Sequence, residues 1–153
     1  MTATLELVDI TAPKIDALDL SMIKRKLQDP EEGLGWSSEE CDAIEVEYKR
    51  YLALKRTYRD HEIVPNQLVD KFWHYHILDT VKYAEDCQTI FGYFLHHYPY
   101  FGMNGPEDEQ ALQDAFDETT ELYEAHFGAA YGDNAGMPQR ARCRTQCKPV
   151  KCR

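Results

Sequence analysis

Val69-Asp70-Lys71-Phe72-Trp73-His74-Tyr75-His76-Ile77-Leu78-Asp79 is the stretch whose reading decides the fold of this chain. Val69, Phe72, Trp73, His76 and Ile77 recur at three- and four-residue steps, which is the spacing of one face of an α-helix. Pro65 suits the start of that helix, and Asp79-Thr80 can either continue it or end it and cap a new one. About a turn later the periodicity resumes, with Tyr83, Cys87, Ile90, Phe94 and His97 in a second stripe. That stripe runs into Phe94-Leu95-His96-His97-Tyr98-Pro99-Tyr100. Four of the six histidines fall in these two segments, with Asp70, Asp79, Glu85 and Asp86 beside them.

Upstream, Ser37 and Glu40 form a capping-box pair, and Cys41, Ile44, Tyr48, Tyr51, Leu52 and Tyr58 then mark one face of a long helix. Its lysines and glutamates read as a solvated face. Before it, Thr11-Ala12-Pro13 offers a cap and a first-turn proline, and Ile15 through Leu27 predicts a single helix over residues 13–28. Residues 1–10 read as a short extended arm. Downstream, Pro106 and three acids open a last helix, which Gly128 stops. With about five helices and no clear strand, the fold class is all-α. It reads as a compact single-domain array over 1–128, followed by an irregular Cys-containing C-terminal tail over 129–153.

Composition narrows the classes. At 153 residues with 43% hydrophobic content, the chain suits one globular core. No apolar run is long enough to span a membrane, and the N-terminus lacks the basic-then-apolar pattern of a signal peptide. The expectation is a cytoplasmic protein with no membrane partner. Six of the 17 basic residues lie after residue 139, and none of the 27 acids does. The preceding residues therefore carry a net charge of −16. An acidic body disfavours nucleic acid, whose phosphates need a basic face. It leaves a protein partner open, met through the acidic body or the basic tail.

The histidines carry the candidate chemistry. A metal needs several lone pairs converging at about 2–2.2 Å. Asp70 and His74, four residues apart, share a helix face, whereas His74 and His76 point about 200° apart on a regular helix. A break near Asp79 would let those two approach. His97 is better placed to face inward than His96. The expected metal site is thus His74, His76, His97 and Asp70, with Asp79, Tyr83 and Asp86 as hydrogen-bonding groups behind it. Zinc, iron or copper would suit such a set. The bland alternative is a buried, hydrogen-bonded polar knot in a helical core. No Ser nucleophile elbow, phosphate-cradling loop or H-E-x-x-H motif is present. Cys87 beside Asp86 reads as a structural cysteine, because its stripe is apolar.

Several motifs together resemble a known family. These are Tyr48-Lys49-Arg50-Tyr51-Leu52, Val64-Pro65, Val69-Asp70, Trp73-His74-Tyr75-His76, Tyr83-x-x-Asp86-Cys87, Phe91-Gly92 and His97. Over residues 36–102 they look like the glycine-rich domain-containing protein-like family, with its W-H-x-H stretch followed by Y-x-x-D-C. That resemblance implies a helical fold and supplies no activity. The glycine-rich segment of its longer members is absent.

The tail gathers Cys143, Cys147 and Cys152 among basic residues. Cationic neighbours favour thiolate, so these thiols could take Zn²⁺ or Cu⁺ with a histidine of the body. The tail could also be a Cys-rich peptide carried by a leader-type domain and modified by another enzyme, or simply an irregular end. The functional reading is a transition-metal-binding helical protein. Its competitor is a non-catalytic interaction module, in which the histidines are structural.

Overall fold

The computed structural model describes residues 7–132. The tail thiols Cys143, Cys147 and Cys152, and most of the expected N-terminal arm, lie outside the described residues. Among the described residues there are six helices and no strand. They are α1 (Pro13–Asp16), α2 (Ser21–Gln28), α3 (Ser38–Thr57), α4 (Gln67–Leu78), α5 (Thr80–Phe91) and α6 (Pro106–Phe127). The all-α expectation holds.

α3 is the axis of the array, packing against α1, α2, α4 and α6, while α4 also meets α2 and α5. Its start is the capping box expected: the Ser37 hydroxyl accepts from Glu40 N–H, and the Glu40 carboxylate accepts from Ser37 N–H. Because it is surrounded, α3 buries more than one stripe, including Glu40 and Glu47. Glu47 therefore does not belong to a solvated face. Its Oε1 accepts from Gly132 N–H at 2.8 Å.

The single helix expected over residues 13–28 is two. Asp19 accepts from Ser21 N–H at 3.0 Å, a local bond that competes with helical continuation. The carbonyls freed at the break, those of Asp16 and Leu18, accept from Lys49 Nζ of α3 at 3.1 Å each. Thr11 is not the cap of α1; that position is Ala12, followed by Pro13.

The core is rich in tyrosine, and a buried hydroxyl costs free energy unless it is paired. Tyr83 donates to the Leu95 carbonyl at 2.5 Å, and Tyr131 donates to that of Val64 at 3.1 Å. Tyr131 was invisible to helical periodicity. It lies beyond Gly128, yet is buried against Tyr123 and Phe116 and accepts from Asn66 N–H at 2.9 Å.

Two junctions position the histidines. At Asp79 the backbone breaks (φ −81°, ψ 74°), ending α4 and starting α5, although the carboxylate makes no capping hydrogen bond. At Gly92 the chain takes φ 76°, a left-handed conformation that stops α5 at low cost only for glycine. The expected second stripe therefore ends at Phe91. Beyond Gly92 burial alternates: Tyr93, Leu95 and His97 are half-buried, while Phe94, His96 and Tyr98 are exposed. His97 faces inward as expected, but from non-helical chain whose burial alternates every second residue and not from a helix. No helix among the described residues is long and apolar enough to cross a membrane.

Candidate metal centre

Asp70 and His74 sit one turn apart on α4, and His97 reaches them from the non-helical segment after Gly92. His97 Nε2 lies 3.0 Å from Asp70 Oδ1 and 2.9 Å from His74 Nε2. His74 Nε2 lies 3.3 Å from Asp70 Oδ2. One ligand atom from each residue falls within 4.8 Å of the other two, so the group could hold a metal ion. Asp70 is buried, His97 half-buried and His74 exposed, so one side of the group is open to solvent.

Neighbouring groups hold His97 in place. Its ring lies 4.3 Å from that of Trp73, whose Nε1–H donates to the Tyr83 hydroxyl at 3.0 Å. Tyr83 in turn is tied to the Leu95 carbonyl, two residues before His97. A tyrosine of α5 and a tryptophan of α4 thus fix the segment that delivers the histidine. Partial burial, the largest influence, holds the His74 imidazole below its ordinary pKa. His97 adds to the drop and Asp70 opposes it. A neutral imidazole is the form that ligates metals.

His76 lies apart from this group. It is buried, its Nδ1 is 2.7 Å from the Tyr48 hydroxyl, and its Nε2 is 2.8 Å from Asp86 Oδ2. Burial pushes the Tyr48 phenol well above its ordinary range, so its proton stays and is donated to Nδ1. Nε2–H then donates to Asp86, which also pairs with Lys82 at 3.1 Å. Burial also lowers the His76 pKa against the pull of Asp86, leaving a neutral ring with both nitrogens used.

Of the groups expected behind the ligands, Asp86 serves His76, and Tyr83 serves the segment of His97. Asp79 is exposed at the α4–α5 junction. The break at Asp79 does not bring His74 and His76 together. Tyr48 was not foreseen as a partner of His76, nor Lys82 as a partner of Asp86. Lys82 had a local signal, its four-residue spacing to Asp86, but Tyr48 lies 28 residues upstream in another helix. Cys41 and Cys87 are buried free cysteines, and burial raises both thiols, Cys41 to about 11. A raised thiol pKa is the reverse of what a nucleophile needs.

Comparison with curated proteins and with solved structures gives no match. A family model does match, over residues 15–123, and it is that of the UCP032817-like family. The match runs from Ile15 of α1 to Tyr123 of α6, whereas the motifs taken to indicate a glycine-rich domain-containing family covered only residues 36–102. The resemblance to that family is therefore corrected: this chain belongs to the UCP032817-like family.

Proposed function

We propose that this protein binds a divalent transition-metal ion through Asp70, His74 and His97, leaving coordination positions open on the solvent side. The observation that carries the reading is the pair of Nε2 atoms 2.9 Å apart, each also facing a carboxylate oxygen. Protons alone satisfy this arrangement poorly. If both Nε2 atoms carry hydrogen, two N–H groups point at each other. If only His97 does, the His74 lone pair faces the Asp70 carboxylate. A cation replaces both conflicts with attraction.

The spacing also suits an ion. Ligands at about 2.0–2.2 Å in a tetrahedron lie roughly 3.3–3.6 Å from one another, so shifts of a few tenths of an ångström would admit one. Two imidazoles and one carboxylate with open positions are a donor set used by zinc hydrolases and by ferrous oxygenases. Zinc and iron therefore suit it better than copper. The metal would polarise a bound oxygen or lower the pKa of a bound water.

Elemental analysis of protein purified without a histidine tag tests the reading. His74→Ala, His97→Ala and Asp70→Asn should each lower bound metal several-fold, and His61→Ala and His126→Ala should not. Equal metal content in all five variants would remove the site. Loss of stability with no change in metal would favour the interaction module.

A further inference from the structure

A cavity of about 450 Å³ lies between the segment leading into α1, the middle of α3 and the C-terminal end of α6. Ile10, Ala12, Val46, Ala53 and Phe127 make much of its wall, and Arg50 supplies a cation. Arg50 is half-buried. Its Nη1 donates to the Tyr123 hydroxyl at 2.9 Å, and its guanidinium carbon lies 5.1 Å from the centre of the Phe127 ring. Among the described residues no carboxylate pairs with it, in a chain of net charge −10. A guanidinium has five N–H donors, and Tyr123 takes one.

The other cation of the wall is already engaged. Lys49 donates to two backbone carbonyls and lies 3.6 Å from Glu45. Arg50 therefore presents a positive charge, with no carboxylate of the described residues in ion-pair contact, beside an apolar surface. The partial negative charge at the α6 C-terminus and the Asp16 carboxylate at the wall both oppose a second negative charge on a ligand.

We propose that this cavity binds a small amphipathic monocarboxylate, with its head on Arg50 and its hydrocarbon chain along Val46, Ala53 and Phe127. The geometry favours a carboxylate over a phosphate monoester, because a dianion would meet Asp16 with only one cation to balance it. A volume of this order belongs to ordinary small-ligand sites. The cavity shares no residue with the candidate metal centre, so the proposal stands whether or not that centre binds an ion.

Titration calorimetry on the full-length protein tests it, with octanoate, acetate and octylammonium as separate probes. Octanoate should bind at one saturable site with Kd below about 1 mM, a level within reach of so small a ligand. Acetate and octylammonium should bind at least about tenfold more weakly. Arg50→Gln should weaken octanoate by a similar factor. Val46→Asp, at an exposed position of α3 where substitutions usually cost little stability, should do the same by setting a second acid at the cavity. Octylammonium binding as tightly as octanoate would overturn the assignment of the head to Arg50. Absence of saturation, or an unchanged affinity in both variants, would overturn the site.

Discussion

Both ring nitrogens of His76 have protein partners inside the core, whereas the Nε2 atoms of His74 and His97 converge on one another and on the Asp70 carboxylate at the surface. The two settings begin two residues apart on α4. Helical geometry sends His76 into the core, where Tyr48 and Asp86 take both nitrogens, and sends His74 outward. The first arrangement is complete without a ligand and stabilises the fold. The second is held by Trp73 and Tyr83 in a geometry that could hold a metal ion. On the function proposed above, one short motif divides into a structural half and a ligand-binding half.

The contrast is most exposed to His76→Ala. That change leaves the Tyr48 hydroxyl and one face of Asp86 unpaired beside a cavity, and should cost roughly 3 kcal/mol or more in urea unfolding of chelated protein. His74→Ala, at an exposed position, should stay within about 0.5 kcal/mol under the same conditions. A similar loss in both would erase the distinction. Tyr48→Phe sharpens it: His76 keeps Asp86 but loses its donor, and stability should fall by about 1–3 kcal/mol with bound metal unchanged.

Acid offers a third test, again on chelated protein. The buried His76 is harder to protonate than an exposed histidine, whose ordinary value is 6.5. Below that pH the unfolded chain binds the proton more readily than the folded one. Stability should therefore hold above about pH 6.5 and decline as pH falls below it, by at most about 1.4 kcal/mol per pH unit for this one group. His74 and His126, also lowered by burial, should contribute less because they are only partly enclosed. A flat profile through this window would mean that His76 is charged in the fold. The smallest effect belongs to Asp79→Ala. An N-cap carboxylate would be worth about 1 kcal/mol, but this one caps nothing, so a change within about 0.5 kcal/mol is expected.

Local chemistry was legible in the sequence where neighbours in the chain are neighbours in space. Ser37 with Glu40, Pro106 with the acids after it, Gly128 as a stop, and the Asp70–His74 pair all follow from spacing alone. So does the inward turn of His97 in place of His96, though for a reason the helical stripe misstated. Periodicity failed where a side chain competes with the backbone, as Asp19 does between α1 and α2. It also failed where a glycine changes the period, as Gly92 does. The Tyr48–His76 bond, the buried Glu47 and the buried Tyr131 were not legible, because each is made by elements that meet only after folding. Arg50 gave no signal of its own; its meaning comes from the cavity and from the carboxylate that is not beside it.

Gly92 and the alternating segment after it have a consequence for how the chain tolerates changes in length. Counted from Gly92, the inward places fall on residues 93, 95 and 97. Inserting one residue between Gly92 and His96 would carry His96 into the place that His97 now holds, and an imidazole would still face Asp70. Deleting one residue there would bring Tyr98 to that place, with a phenol where the second imidazole had been. The adjacent histidines make the centre forgiving of an added residue and intolerant of a lost one.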